Sequence, residues 1–254
     1  MGQYGEQKYW EERYNTEQAP FDWYLRYQHL KPLLAPFMTD ESCILDIGCG
    51  SSKLAEELYD DGKKNIKCID YSANIINKMQ DANISARPEI DWAEMDVKAM
   101  SFDDETFDLI IDKGTSDAIL CGTDSYAQLS SMLKEVSRVL KKGGVYVVIT
   151  YGVPATRLPH FEKEEYGWKV DKLTTPKYEG APPNQVYYLY VMKKVSEEKE
   201  EERNDQEDEV AVTIESDAPP KMSSPGAETG ASPSTNEGNG DENLIDFDPP
   251  PEMQ

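Results

Sequence analysis

Two hydrophobic rhythms alternate along the first 195 residues. Short apolar runs predict strands at about 43–47, 65–70, 90–95, 107–112 and 144–150. Between them, apolar residues at three- and four-residue steps predict helices at about 52–60, 72–81 and 124–140. The last helix carries Tyr126, Leu129, Leu133, Val136 and Leu140 on one face. Lys141-Lys142-Gly143-Gly144 reads as its end, with cations at the C-terminal dipole and a glycine stop. Ahead of this core, residues 6–14 and 22–37 read as two helices. Trp23, Tyr27, Leu30, Leu34 and Phe37 form the stripe of the second, which Pro32 is expected to kink. After the fifth strand come a loop at 152–161 and two strands near 166–174 and 185–193. The Pro- and Gly-rich stretch from Thr175 to Pro183 joins those two as an expected antiparallel hairpin. Such alternation implies an α/β fold, a mostly parallel, doubly wound sheet of seven strands with helices on both faces.

Chemistry concentrates where the first two strands end. Cys43-Ile44-Leu45-Asp46-Ile47-Gly48-Cys49-Gly50-Ser51 is an apolar strand closing in an acid and two glycines. Glycines there let the backbone turn tightly and approach a ligand that a side chain would block. Ile69-Asp70-Tyr71-Ser72 ends the second strand in another acid, at the spacing from which a carboxylate accepts ribose hydroxyls. The pattern defines a nucleoside-cofactor site. A dinucleotide loop places a third glycine where this chain has Lys53, and Asp46 would repel a pyrophosphate. A cationic, zwitterionic cofactor such as S-adenosylmethionine suits the acid better. In Trp92-Ala93-Glu94-Met95-Asp96-Val97 a further acid is expected at the strand edge where open α/β sheets bind ligands.

Charge divides the chain. From Ser196 to the end there are 18 acidic and 3 basic residues, against 31 and 23 in the remainder. The stretch 196–254 is Glu/Asp/Ser/Pro/Gly-rich and reads as a disordered acidic tail. Polyanionic character disfavours nucleic acid, whose binding rests on Lys and Arg, and favours a basic protein partner. Cys43, Cys49, Cys68 and Cys121 lack metal or C-x-x-C spacing and read as small buried hydrophobes in a reducing compartment. No apolar run approaches the ~20 residues of a membrane span, so no membrane role and a cytoplasmic location are expected. Within the tail, Leu244, Ile245, Asp246, Phe247 and Asp248 fit a clathrin-box pattern, a weak adaptor signal.

Three further stretches carry a resemblance: Tyr9-Trp10-Glu11-Glu12-Arg13-Tyr14 with Phe21-Asp22-Trp23-Tyr24, then Asp70-Tyr71-Ser72, then Ile111-Asp112-Lys113-Gly114-Thr115-Ser116-Asp117-Ala118-Ile119. Over residues 1–195 the chain resembles the class I S-adenosylmethionine-dependent methyltransferases. It looks closest to the methyltransferase-like lysine methyltransferases of translation elongation factor 1-alpha. The last stretch is the specific one, because methyltransferases in general rarely place Lys-Gly-Thr after strand four. The resemblance implies a Rossmann-like domain at 41–195 and an N-terminal helical segment, 1–40, that covers the cofactor. It implies that Trp10, Tyr14 and Trp23 wall the pocket, that Gly48 meets the methionine moiety and that Asp70 grips the ribose. Tyr71 would stack on adenine, Asp96 and Val97 would meet its edge, and Lys113 would contact the cofactor. It also implies a protein substrate with an exposed lysine.

Each of these residues has a plainer reading. The aromatics also suit the core side of amphipathic helices, Asp96 suits a helix cap, and Lys113 could pair with Asp112 or Asp117. Methyl transfer to an amine requires alignment more than a dedicated base; Asp112 is the weak catalytic candidate, and Tyr24, Tyr151 and Phe161 are expected to line the substrate channel. Asp112-Lys113-Gly114-Thr115 replaces the N/D-P-P-Y/F signature, which argues against nucleobase and glutamine substrates. A small-molecule methyltransferase and an adaptor acting through the tail are the alternatives.

Overall fold

The computed structural model describes residues 3–17 and 19–196. The tail beyond Ser196, with the 244–248 run, lies outside the described residues. The elements are α1 (Gln7–Thr16), α2 (Tyr27–Leu34), β1 (Ile44–Ile47), α3 (Leu54–Asp60), β2 (Ile66–Asp70), α4 (Ala73–Asn83) and β3 (Asp91–Glu94). They continue with β4 (Phe107–Lys113), α5 (Thr115–Leu120), α6 (Ser125–Val139), β5 (Leu140–Thr150), α7 (Pro154–Phe161), β6 (Trp168–Pro176) and β7 (Val186–Lys194).

The seven strands form one sheet in the order β3-β2-β1-β4-β5-β7-β6. The first five run parallel, and β7 inserts antiparallel between β5 and β6. Successive strand residues face opposite sides, and both sides are covered. Val145, Val147 and Ile149 belong to one core cluster, while Tyr146 and Val148 belong to the other. The order reverses between β1 and β4, so the crevice at their carboxyl ends is where a doubly wound sheet binds its ligand.

The stripe of α6 is Leu129, Met132, Leu133, Val136 and Val139, all fully buried. Truncating Leu133 to alanine leaves a cavity in that layer and is expected to lower stability by about 2–5 kcal/mol, read from the urea midpoint.

Four expectations are corrected. Residues 22–26 are not helical: Leu25 N–H closes a three-residue turn onto the Trp23 carbonyl at 2.8 Å, with Tyr24 at φ 63°. Trp23 therefore leaves the α2 stripe, and α2 runs through Pro32 to Leu34 before a tighter turn at Ala35–Phe37. The loop at 152–161 contains α7, with Pro154 in its first turn, where a missing N–H costs nothing. Helix α6 stops without the glycine pair: Leu140 is already extended, and Lys141 to Gly144 form a bulge between Leu140, opposite Phe107, and Val145, opposite Leu109. Tyr126 is 67% exposed and stacks on His160 outside the α6 stripe.

Candidate active site

The crevice is built first by backbone. Gly48 and Gly50 follow β1 with φ of 62° and 51°, the left-handed region that glycine enters freely. A Cβ on Gly48 would overlap the Thr115 side chain, and one on Gly50 would lie 2.8 Å from the Tyr14 hydroxyl oxygen. Thr115 is in turn fixed by donating its hydroxyl to the Ile47 carbonyl at 2.8 Å.

Asp70 ends β2 facing this loop. It is 3% exposed; Oδ2 accepts the Gly50 N–H at 3.1 Å and Oδ1 accepts that of Ser72 at 3.0 Å. Burial pushes its carboxyl up to about 6, although the Ser72 and Gly50 amides pull the other way. Asp46, on β1, is likewise buried, and burial raises it to about 7 despite the nearby Lys113 ammonium. Beside them the Ser72 hydroxyl is buried and has no hydrogen-bond partner among the described residues.

The N-terminal segment lies over this edge. Rings run in an unbroken series from the glycine loop: Tyr14 to Trp10 at 5.6 Å, Trp10 to Trp23 at 6.2 Å, Trp23 to Tyr24 at 6.2 Å and Tyr24 to Tyr187 at 5.0 Å. The Arg13 guanidinium sits 5.0–5.6 Å from the centres of Phe21, Trp23 and Trp10, which ties α1 to the turn that follows it. Polar anchors hold the segment down. Ser51 Oγ accepts the Phe21 N–H at 3.1 Å, and Ser52 Oγ donates to Asp22 at 2.5 Å.

Lys113, at the tip of β4, pairs with Asp22 at 2.9 Å and reaches the Trp23 carbonyl at 3.3 Å. Its partner is thus neither Asp112 nor Asp117. Burial raises the Asp22 carboxyl, but the Lys113 ammonium and the Ser52 bond outweigh it and bring it below the usual range. The Asp-Lys-Gly-Thr-Ser-Asp run now has a division of labour. Lys113 anchors the segment, the Tyr24 and Trp23 rings lie against Gly114, and Thr115 braces Gly48.

Asp112 is wholly buried beneath this corner. Its carboxylate accepts the Thr115 and Ser116 N–H groups and the Ser116 and Tyr146 hydroxyls, so it holds the start of α5. Burial raises it to about 6. Tyr71 borders Asp70, and burial raises its phenol. Asp96 lies two residues beyond β3, exposed, with Oδ1 accepting the Lys98 N–H at 2.9 Å and Oδ2 3.5 Å from the Lys98 ammonium; neighbouring Val97 is buried. The expected strand end at Asp96 is therefore a turn.

Tyr24 and Tyr151 come together, ring centres 6.2 Å apart, but Phe161 is buried on the other face of the sheet against Tyr190. Tyr187, Asp117 and Arg157 complete the corner without having been singled out by sequence. Asp117 stands inside the quoted run, and that membership was its only signal in the sequence; the structure shows it buried. Arg157 belongs to α7, hidden while that stretch read as a loop.

Comparison with known proteins agrees with this architecture. Residues 44–144 match a family model described as a methyltransferase domain. The chain is 34% identical over 182 residues to mouse EEF1A lysine methyltransferase 4, covering 68% of this chain and 71% of that protein. It is 36% identical over 174 residues to human eEF1A lysine and N-terminal methyltransferase, covering 66% of this chain but 25% of that protein. A TehB-like SAM-dependent methyltransferase from Corynebacterium glutamicum superposes with a TM-score of 0.52 at 17% identity, over 74% of this chain and 95% of that one. The chain belongs to the family of S-adenosylmethionine-dependent methyltransferases that includes the EEF1A lysine methyltransferase 4 proteins.

Proposed function

We propose that the chain methylates a lysine on a protein, translation elongation factor 1-alpha, with residues 1–40 covering the cofactor over a methyltransferase domain at 41–195. The observation that carries this is the aromatic cluster of Tyr24, Tyr151 and Tyr187, continuous through Trp23, Trp10 and Tyr14 with the glycine loop. Aromatic faces of this kind suit the methylene stem of lysine. The relatives named for elongation factor lysine methylation support the choice of substrate.

The cradle fits S-adenosylmethionine. Glycine backbone at 48 and 50 leaves room for close approach, and the three carboxyl groups of Asp22, Asp46 and Asp70 outnumber the Lys113 ammonium among them. Such a site favours a cation and repels a phosphate. We assign Asp70 to the ribose hydroxyls, Tyr71 to the adenine face, and Asp96 with Val97 to the adenine edge. Gly48 takes the methionine moiety, with Lys113 beside it and Trp10, Tyr14 and Trp23 as the wall. When bound, the cofactor supplies an electrophilic methyl group on a sulfonium. The chain's own residues align the acceptor amine, exclude water and hold the amine uncharged, since leaving water lowers a lysine pKa. Asp112, occupied by α5, is assigned to holding that corner instead of touching the acceptor.

Because an ionised Asp70 is the better acceptor and its carboxyl sits at about 6, cofactor affinity is expected to rise with pH. From pH 5 to pH 7.5 the ionised fraction grows about tenfold, and affinity by calorimetry should follow. Asp70→Asn is expected to flatten that rise. The function itself is tested by incubating the chain with radiolabelled S-adenosylmethionine and a cell extract, beside an Asp70→Ala control. One labelled protein band of the elongation factor's size, absent with the control, supports the reading. Label confined to small molecules would contradict it.

A further inference from the structure

An amine attacks through its lone pair, so a fixed group that accepts the amine's own N–H aims that lone pair at its target. Tyr24 has the geometry for this. It is one of three non-glycine residues with positive φ among those described, at 63°. A tyrosine there is strained and persists where its surroundings over-determine it. The surroundings are unusually specific. The ring rests against Gly114, Tyr151 and Tyr187, and the hydroxyl donates to Asp117 Oδ2 at 2.7 Å.

Asp117 is 1% exposed, and its other oxygen accepts the Thr150 hydroxyl and Arg157 Nη2, each at 2.7 Å. Arg157 is 7% exposed; beside its bond to Asp117, Nη1 donates to the Thr156 hydroxyl at 3.3 Å, the guanidinium lies 5.7 Å from the Tyr151 ring centre, and Nε has no hydrogen-bond partner among the described residues. These residues come from the N-terminal segment, α5, the end of β5 and α7, four elements converging at one corner of the sheet edge. A carboxylate can only accept, so the phenol proton is committed to Asp117 and the phenol oxygen is left as an acceptor.

Resting on the lysine-methyltransferase reading, we propose that Tyr24 accepts a hydrogen bond from the target amine and orients its lone pair, with Asp117 and Arg157 as positioning residues. The contact itself moves no atom: the amine keeps its proton and the phenol keeps its own. On this proposal the hydroxyl of Tyr24, and not only its ring, is needed for methyl transfer.

The test is steady-state methylation of purified elongation factor 1-alpha by the full chain and by Tyr24→Phe, which keeps the ring. The expected result is a kcat at least tenfold lower, with KM for the protein substrate and cofactor Kd by calorimetry within twofold. Asp117→Asn, which can turn an amide N–H toward the phenol oxygen, should reproduce the defect, and the double variant should fall no further. Where Asp117→Asn fails to fold, Tyr24→Phe alone decides. A Tyr24→Phe kcat within twofold overturns the proposal, as does a loss explained entirely by weaker cofactor binding. If the unaltered chain labels no lysine at all, the lysine reading fails first and this inference with it.

Discussion

Replacing Asp70 with alanine is expected to weaken S-adenosylmethionine binding by at least about 100-fold. On the proposed assignment two ribose hydroxyls donate to this carboxylate in charge-assisted bonds, each worth about 1.5–3 kcal/mol. Losing both exceeds the ~2.7 kcal/mol that a hundredfold change represents. The carboxylate is buried, and its Oδ2 holds the Gly50 N–H, so the variant also loosens the glycine loop that follows β1. The fold should survive, because burial already disfavours the ionised group, as its rise to about 6 records. Isothermal titration calorimetry on the folded variant provides the check. An affinity within threefold of the unaltered chain would remove Asp70 from the site.

The second large effect concerns the anchor. Lys113 and Asp22 form an ion pair 2.9 Å long, their side chains 5% and 13% exposed. Breaking a buried pair strands the remaining charge, which costs about 3–5 kcal/mol. Lys113→Met should therefore lower Tm by roughly 6–20 °C in a domain of this size. Adding Asp22→Asn removes the stranded charge while leaving an oxygen for Ser52, and should recover part of the loss. A single variant melting within about 2 °C of the unaltered chain would mean that the pair does not hold the segment down.

These effects separate what the sequence exposed from what it concealed. The parallel strands were legible because each is a short apolar run bounded by polar or glycine residues, and the glycine loop with Asp70 was legible because its spacing carries chemistry. The turn at Tyr24 was not, since nothing local favours a tyrosine at φ 63°. It is imposed by Asp117, 93 residues away, and by Gly114 beneath the ring. Helix α7 was obscured by Pro154 and Pro159, which read as loop punctuation although the first sits where a helix tolerates it. The Lys141–Gly144 stop failed for a related reason: Leu140 had already joined a strand paired with β4, and sheet pairing overrode the local glycine signal. Lys113 paired with a residue 91 positions away, a contact no periodicity anticipates.

The most direct test of the central claim is intact-mass and peptide mass spectrometry of purified elongation factor 1-alpha after incubation with the chain and S-adenosylmethionine. The expected result is a gain in whole methyl units on one lysine, absent without the chain and absent with Asp70→Ala. An unmodified elongation factor under conditions where calorimetry shows the cofactor bound would contradict the proposed substrate.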